Sequence, residues 1–146
     1  MDQSVYEILR LENQLCFPLY AASKEVVKRY RPYLDALDLT YTQYIAMMVF
    51  WERGKCSVKE LGECLYLDSG TRTPVLKSLE KKGFIHRERS AEDERVVMAE
   101  ITEKGAALRE QALTVPGKMA SCVTLDAGEA QELYALLYKL LDGLNT

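Results

Sequence analysis

The stretch DSGTRTPVLKSLEKKGFIHRERSAEDERVVMAEI, residues 68–101, decides the fold. Asp68 is a preferred N-cap residue, and the helix that it opens would turn Leu76 and Leu79 towards the core. Gly83 follows at the position where a left-handed residue ends a helix. The segments FIHRERS and RVVMAEI then contain β-branched residues and are separated by the polar run AEDE. This pattern predicts one helix followed by a two-stranded β-hairpin.

Two capping boxes upstream predict two further helices. In a capping box, the N-cap Ser or Thr and a Glu or Gln three positions later each bond the other's backbone N–H group. Residues 40–43, TYTQ, and residues 57–60, SVKE, both have this pattern. The residues predicted to face inward are Tyr41, Ile45, Met48 and Val49 in the first helix and Val58, Leu61 and Leu65 in the second, shorter helix.

Longer helices are predicted on both sides of this centre. Apolar residues at steps of three and four give the first helix one stripe, with Pro18 in its first turn or at a kink. Thr102 opens another helix, expected to end near residues 115–117, and Asp126 caps the last one. The first stripe contains Leu15, Leu19, Ala22, Val26, Tyr30 and Tyr33, and the last contains Leu133, Leu136, Leu137, Leu140, Leu141 and Leu144.

The order of these elements predicts a mainly α fold with a small β-hairpin wing. A short helix, a turn, a second helix and a hairpin form a winged helix-turn-helix, whose second helix enters the major groove of DNA. We expect a single chain, 1–146, with a winged helix-turn-helix DNA-binding unit at 40–101 and a flanking helical dimerisation region at 1–35 and 103–146. The outer helices have more apolar surface than the centre can cover, which favours a homodimer, although the stripes could also pack within one chain.

Length and composition are those of one globular domain. The chain has 146 residues, of which 48% are hydrophobic and 28% are charged. No apolar run is long enough to span a bilayer, and the first residues lack the basic start and apolar stretch of a secretory signal. We therefore expect a cytoplasmic protein with no membrane partner.

Positive charge is concentrated in one part of a chain whose net charge is −3. Residues 69–95 contain seven bases and five acids, whereas the remainder contains twelve bases and seventeen acids. This distribution favours a phosphate-binding face on an acidic body, although a mixed charge run is also typical of an ordinary solvated face.

The first turns of the predicted helix after Asp68 have residues that suit a DNA-reading helix. Residues 69–73, SGTRT, are mostly small and polar, so the helix can approach closely and its backbone N–H groups can bind phosphate. Arg72 suits the edge of a guanine, and Lys77 suits a phosphate. The alternative is a capped surface helix without a ligand.

Two stretches, DSGTRTPVLKSLEKKGFI and RSAEDERVVMAEITEKG, resemble the multiple-antibiotic-resistance regulator (MarR) family, and the resemblance extends from about Tyr6 to Leu144. It implies a dimeric winged helix that binds a near-palindromic double-stranded DNA operator. It also implies that Arg95 lies at the tip of the wing and reaches the minor groove, with Asp93 helping to hold it. The predicted DNA-binding residues are Asp68, Ser69, Gly70, Thr71, Arg72, Thr73, Lys77, Arg87, Arg89, Asp93 and Arg95.

The N-terminal part is similar to one group within that family. LCFPLY at residues 15–20 and LTYTQY at residues 39–44 closely resemble the organic hydroperoxide resistance repressors (OhrR). The resemblance implies that Cys16 is the peroxide-reactive thiol and that Tyr30 and Tyr41 hydrogen-bond it from the partner chain. It further implies a repressor that leaves its operator when an organic hydroperoxide oxidises Cys16, and a target gene that encodes a peroxide-detoxifying enzyme.

The surroundings of Cys16 are consistent with this chemistry. The residue lies near a predicted helix start, where the helix dipole favours a thiolate, and tyrosine hydroxyls can donate hydrogen bonds to that anion. The apolar neighbours Leu15, Phe17 and Leu19 would favour organic peroxides over hydrogen peroxide. Attack on the peroxide forms a sulfenic acid, which condenses with a second thiol if one is near. Without the resemblance, an inert core residue would be the ordinary interpretation of this cysteine.

The other cysteines are harder to assign. Cys122 lies between the last two predicted helices, where some repressors of this group have a resolving cysteine, and it is either that thiol or a bystander. Cys56 and Cys64 flank the short helix and are expected to be structural. Because no CxxC pair is present and His86 is the single histidine, we expect neither a zinc site nor another cofactor.

Three alternatives stay open. A redox regulator could form a mixed disulfide with a low-molecular-weight thiol instead of Cys122. A thiol peroxidase would use Cys16 in turnover, although no arginine lies beside it to polarise a peroxide and an enzyme has no need of the unit at 68–95. A repressor could instead be released by an aromatic ligand bound against Tyr30, Tyr41, Tyr44 and Trp51.

Overall fold

The computed structural model describes residues 2–145. Within these residues, two short 3₁₀ helices, Gln3–Leu9 and Leu11–Asn13, come first, and seven α-helices and three β-strands follow. The elements are α1 (Cys16–Asp35), α2 (Tyr41–Arg53), β1 (Lys55–Ser57), α3 (Val58–Leu65), α4 (Ser69–Lys81), β2 (Ile85–Arg89), β3 (Val97–Ile101), α5 (Glu103–Ala112), α6 (Val115–Ala120) and α7 (Ala127–Leu144).

The chain forms two compact units, the first ending at Val115 and the second beginning at Pro116. The first unit contains the predicted helix-turn-helix, α3 and α4, the hairpin of β2 and β3, and the helices α1, α2 and α5. The second unit contains α7 and most of α6. The predicted mainly α fold with a small β-hairpin wing is confirmed.

Helix α2 forms the centre of the first unit and is buried on more than one side. It contacts α1, α3, α4 and α5 as well as β1 and β3. Its predicted inward face is therefore wrong in part, since Met48 is 44% exposed. Tyr41, Ile45 and Val49 are only half-buried. The buried residues of α2 are Gln43, Tyr44, Ala46, Met47 and Phe50.

Helix α4 has the boundaries and the buried face that its sequence predicts. The Asp68 carboxylate accepts a hydrogen bond of 2.9 Å from the backbone N–H of Thr71. Leu76 and Leu79 are fully buried. Gly83 has a φ of +83°, so the helix ends in the predicted left-handed turn. The backbone N–H of the next residue, Phe84, then donates to the Leu79 carbonyl oxygen at 3.0 Å, which directs the chain into β2.

The sheet has three antiparallel strands in the order β1-β3-β2, whereas the sequence predicted only the hairpin. Strand β1 pairs with β3, so that Cys56 lies opposite Ala99. Three residues are too few to show the alternation by which a strand is recognised, which explains why β1 was missed. In β1, Cys56 and Ser57 are buried.

Only half of the second predicted capping box is present. The Ser57 hydroxyl accepts a hydrogen bond of 3.0 Å from the backbone N–H of Glu60, but the Glu60 side chain does not return a bond to Ser57. The box at Thr40 and Gln43 is complete. The Ser57 side chain is thus the only half of this box that caps α3, and the Ser57 backbone belongs to β1.

The prediction that one helix runs from Thr102 to about residue 115 is also wrong in part. Helix α5 ends at Ala112, and a separate short helix, α6, begins at Val115. Pro116 is the second residue of α6, where its missing N–H group costs no hydrogen bond. The Val-Pro-Gly sequence therefore starts a helix at this position.

The outer helices expose apolar residues in the single chain. Leu34 is the one buried residue of α1, and Leu15, immediately before that helix, is 83% exposed. Pro18 lies in the first turn of α1. The large apolar residues of the two predicted stripes that are exposed are Leu15, Leu19, Val26, Leu133, Leu136, Leu140 and Leu144.

A search of residues 2–145 finds no helix with the length and apolar character needed to cross a membrane.

The turn between α3 and α4 contains a bulky residue in the left-handed conformation. Tyr66 has φ +56° and ψ +37°, which costs an L-residue with a Cβ atom about 1–2 kcal/mol. Glycine has no such cost. We expect Tyr66→Gly to be more stable than Tyr66→Ala by about 1 kcal/mol, which reverses the usual order of Ala and Gly. Urea unfolding of the two variants measures the difference. A Tyr66→Ala variant at least as stable as Tyr66→Gly would contradict the conformation.

Candidate nucleic-acid interface and cysteine sites

The N-terminal turn of α4 presents small polar groups to solvent. Ser69, Gly70 and Thr71 are exposed, whereas Thr73 is half-buried. The hydrogen bond from the Thr71 backbone lowers the pKa of Asp68, so this cap stays ionised at neutral pH. Of the predicted phosphate-binding residues 69–73, the first three are therefore accessible, with the N-cap in place.

Arg72 is held between the two helices of the helix-turn-helix. A Cβ atom on Gly62 would lie 2.6 Å from the Nη1 atom of Arg72 and 2.8 Å from its Cδ atom. The Arg72 side chain therefore lies against α3 at Gly62, where the backbone oxygen of Leu67 would also be 2.9 Å from such a Cβ atom. Gly62 was not singled out in the sequence, although a glycine inside an amphipathic helix is a signal of close packing.

Arg87 has its donors engaged by another side chain. Glu80 accepts hydrogen bonds from the Arg87 backbone N–H at 3.0 Å and from Nη2 at 3.1 Å. The backbone bond is the largest of the effects that lower the pKa of Glu80. The Arg87 side chain is only 22% exposed, so its ion pair fixes the start of the wing to α4.

The loop of the wing is organised around Asp93. Its carboxylate accepts hydrogen bonds from the backbone N–H of Arg95 at 3.0 Å and from the Nε atom at 3.1 Å. The side-chain bonds of Arg95, followed by the backbone bond, lower the pKa of Asp93. The Arg95 side chain is nevertheless 91% exposed. Arg89 is also exposed and donates to the Glu94 carbonyl oxygen at 2.8 Å.

Lys77 completes the predicted set on α4. It is exposed, one to two turns after the residues of the N-terminal turn. The structure therefore groups the predicted residues in two places, the N-terminal part of α4, where Arg72 and Thr73 are half-buried, and the exposed wing loop. It separates from them Arg87, which is paired with Glu80.

Cys16 is exposed and is the first residue of α1. Its apolar neighbours Leu15, Phe17 and Leu19 are exposed as well. The thiol is therefore accessible in the single chain. An open depression of about 570 Å³ in the same segment is lined by Arg10, Leu11, Glu12, Gln14, Phe17 and Pro18.

Tyr30 and Tyr41 belong to a compact aromatic cluster. Their ring centroids are 4.9 Å apart, and Tyr44 lies 5.8 Å from Tyr30 and 6.3 Å from Trp51. Burial raises the pKa of Tyr30. The pKa of Tyr41 is raised mainly by burial and, to a smaller extent, by the charge of Tyr30. The three tyrosine rings contact one another, and Trp51 extends the cluster through its edge contact with Tyr44.

The cluster lies far from Cys16 of the same chain. Tyr30 comes fourteen positions after Cys16 in one continuous helix. At a rise of 1.5 Å per residue, their backbones are about 21 Å apart. Within one chain, Tyr30 therefore cannot hydrogen-bond the Cys16 thiol.

The remaining cysteines differ in exposure. Cys56 is buried in β1, and this burial is the main reason that its pKa is raised. Cys64 is exposed in the last turn of α3, so it is not a core residue. Cys122 is exposed in the turn after α6, where its thiol lies 3.8 Å from the Lys118 carbonyl oxygen.

A search of residues 2–145 for groups of three or more histidine, cysteine, aspartate or glutamate side chains that could hold a metal ion finds none.

The fold and its exposed surfaces define a winged-helix transcription regulator. A family described as transcriptional regulator SarA/Rot matches residues 26–111. The organic hydroperoxide resistance transcriptional regulator of Bacillus subtilis (strain 168) is 46% identical over 143 residues, which cover 98% of this chain and 97% of that protein. The regulator SarZ of Staphylococcus aureus (strain USA300) is 42% identical over 84% of this chain and 83% of its own.

Two solved structures of DNA-bound regulators have a fold similar to that of this chain. Reduced AbfR bound to DNA, a protein of Staphylococcus epidermidis, has a TM-score of 0.77 and 32% identity, covering 98% of this chain and 99% of that one. Over-oxidised AbfR bound to DNA has the same TM-score of 0.77 at 33% identity, covering 96% and 98%. The chain belongs to the MarR family of transcription regulators, in the group of organic hydroperoxide resistance regulators. It is a transcription regulator and not an enzyme. The resemblance to the MarR family that the sequence indicated is confirmed.

Proposed function

We propose that this chain is a homodimeric repressor that binds a near-palindromic operator when reduced and leaves it when an organic hydroperoxide oxidises Cys16. The observation that carries the proposal is the exposure of Cys16 at the start of α1. Exposed apolar residues surround it, in a chain 46% identical to an organic hydroperoxide resistance regulator. We further propose that the protein works in the cytoplasm and represses a gene for a peroxide-detoxifying enzyme.

The chemistry at Cys16 is a two-electron oxidation of sulfur. The thiolate attacks the outer oxygen of the hydroperoxide, a new S–O bond forms and the O–O bond breaks. The products are a cysteine sulfenic acid and an alkoxide, which takes up a proton and leaves as an alcohol. A thiol then attacks the sulfenic sulfur, so that a disulfide forms and water leaves.

A second chain completes the sensing site in this proposal. Tyr30 is about 21 Å from Cys16 along α1, so tyrosine hydroxyls that bond the thiolate must come from the partner. Exposed apolar residues of α1, such as Val26, and of α7, such as Leu136, are each available for burial in a homodimer.

The operator is contacted at two places of the first unit. Residues 69–73 enter the major groove, and Lys77 contacts a phosphate of the DNA backbone. Arg95 of the wing reaches the minor groove. Asp93 holds the Arg95 guanidinium in one direction before DNA binds, which reduces the entropy lost on binding. Two such units one helical turn apart account for a near-palindromic site.

Two thiols could resolve the sulfenic acid. Cys122 is exposed and would form an intersubunit disulfide, whereas a low-molecular-weight thiol would form a mixed disulfide. Over-oxidised AbfR is bound to DNA in its structure, so oxidation and release are separable in that protein. This supports disulfide formation, rather than oxidation alone, as the step that releases DNA.

The first test concerns Cys16. A duplex selected from a random library by the reduced protein serves as the probe, and its affinity is measured by fluorescence anisotropy before and after cumene hydroperoxide. We expect the wild type to lose affinity by about tenfold or more on oxidation, within the usual range of coupling between sites, and Cys16→Ser to keep it.

The matched control for Cys16 is Cys64→Ser, which removes another exposed thiol. It should respond to the peroxide as the wild type does. Release of Cys16→Ser by cumene hydroperoxide would show that another residue is the sensor.

The second test concerns Cys122. After oxidation, non-reducing electrophoresis should show a cross-linked dimer in the wild type and in Cys64→Ser, and none in Cys122→Ser or Cys16→Ser. Mass spectrometry identifies the linked peptides. A wild type that runs only as a monomer, with a small thiol added at Cys16, would make Cys122 a bystander.

The third test concerns the wing. Arg95→Ala should weaken operator binding by about tenfold, because it removes an exposed cation that is already oriented. Asp93→Asn, which keeps the arginine and loses its charged partner, should weaken binding less, by about threefold. Arg109→Ala on α5 removes an exposed arginine outside both contact places and should bind like the wild type. Equal affinities of Arg95→Ala and Arg109→Ala would rule out the wing contact.

A further inference from the structure

A buried amide connects the turn after α1 to the end of α4. Gln43 is only 6% exposed. Its Oε1 atom accepts hydrogen bonds from the Thr40 backbone N–H at 3.0 Å and from Lys82 Nζ at 2.9 Å. Its Nε2 atom donates to the Ser78 hydroxyl at 2.9 Å. The amide therefore has partners on both sides, one in the α1–α2 turn and two on α4.

Lys82 makes a second connection between the same two places. It is the C-cap residue of α4, and its ammonium group also donates to the backbone carbonyl oxygen of Asp38. The Asp38 carboxylate lies 3.6 Å from the same nitrogen. Bonds of this kind, with a charged donor, are about twice as strong as neutral ones. We call Asp38, Thr40, Gln43, Ser78 and Lys82 the Gln43 cluster.

The turn held by the Gln43 cluster is rigidly joined to α1. Leu37 and Leu39 are buried on either side of Asp38, and both backbone N–H groups donate to the carbonyl oxygen of Leu34. Asp38 itself has a φ of +58°, a conformation that this turn requires. Rotation or translation of α1 therefore moves the groups that bind Lys82.

The other end of α4 is the proposed DNA-contacting end. Helix α4 has 13 residues and is about 20 Å long. If it moves as one rigid body, a displacement at Lys82 also changes the position of residues 69–73. The apolar contacts of Leu76 and Leu79 with the core have no preferred direction, so they set the orientation of α4 less strictly than hydrogen bonds do. The hydrogen bonds of the Gln43 cluster do have a direction, and a buried donor or acceptor that loses its partner is costly.

We propose that the Gln43 cluster positions the recognition helix and transmits movement of α1 to it when Cys16 is oxidised. The proposal rests on the proposed redox function. Lys82 and Gln43 act as positioning residues, since they act on DNA through α4 rather than by contact. Loss of these bonds should leave the sensor and the DNA-contacting residues intact but weaken the coupling between them.

The experiment measures the ratio of operator Kd in the oxidised protein to that in the reduced protein. Lys82→Met removes the ammonium group and keeps the apolar stem, while Gln43 Oε1 keeps its bond from Thr40. We expect this variant to bind the operator within about threefold of the wild type when reduced, and its ratio to be at least about threefold smaller. Ser78→Ala should change the ratio in the same direction.

The matched control is Lys81→Met, which removes the same charge from the neighbouring, exposed position of α4. Its ratio should equal that of the wild type. Wild-type ratios in Lys82→Met and Ser78→Ala would overturn the proposal. Equal weakening of the reduced and oxidised forms, with an unchanged ratio, would also overturn it. A wild-type ratio of one would instead contradict the redox function itself, together with this inference.

A second measurement does not depend on oxidation. Coupling between two sites is reciprocal, so operator binding to the reduced protein should slow amide hydrogen exchange in the α1–α2 turn, residues 36–40. This protection should be present in the wild type and in Lys81→Met and be reduced at least about threefold in Lys82→Met. Equal protection in all three proteins would overturn the proposal even if the peroxide response is intact.

Discussion

The burial of α2 on several sides is the constraint on which the rest of the first unit depends. Ala46, Met47 and Phe50 have no exposed surface, and the core around them is close-packed, as protein interiors are. Trp51 extends this packing, because its indole N–H donates to the Gly105 carbonyl oxygen of α5 at 2.9 Å. The helix-turn-helix, the sheet and α1 are thus held by one central helix, so a change in any of them is felt by the others.

Two arginines of the wing, Arg87 and Arg95, have different roles. Arg87 is bonded to Glu80 and fixes the wing to α4, whereas Arg95 is bonded to Asp93 and stays exposed. In the free chain the Arg87 guanidinium is engaged by Glu80, whereas that of Arg95 stays exposed to a partner. A winged-helix regulator needs both kinds, since the wing must be held in place before its tip can contact DNA.

Helix α4 with its two caps, and a helix start near Cys16, were predictable from residues close together in the chain. Asp68 and Gly83 flank the two ends of α4 as predicted, and Cys16 lies at a helix start. The position of Cys16 relative to Tyr30 was predictable in one respect only. The two residues are about 21 Å apart on one helix, which the spacing implies, but whether a second chain joins them depends on surfaces that become visible after folding.

The amino-acid sequence by itself determined the local features: the N-caps, the turn at Gly83, the hairpin and the apolar stripes of the outer helices. Each of these depends on residues within a few positions of one another, so a periodic or capping pattern can reveal it. The tertiary structure alone decided which face of α2 is buried and that β1 joins the sheet. It also decided that Gln43 bonds Ser78, 35 residues away, and Lys82, 39 residues away. Contacts between such distant residues follow from packing, and no local pattern encodes them.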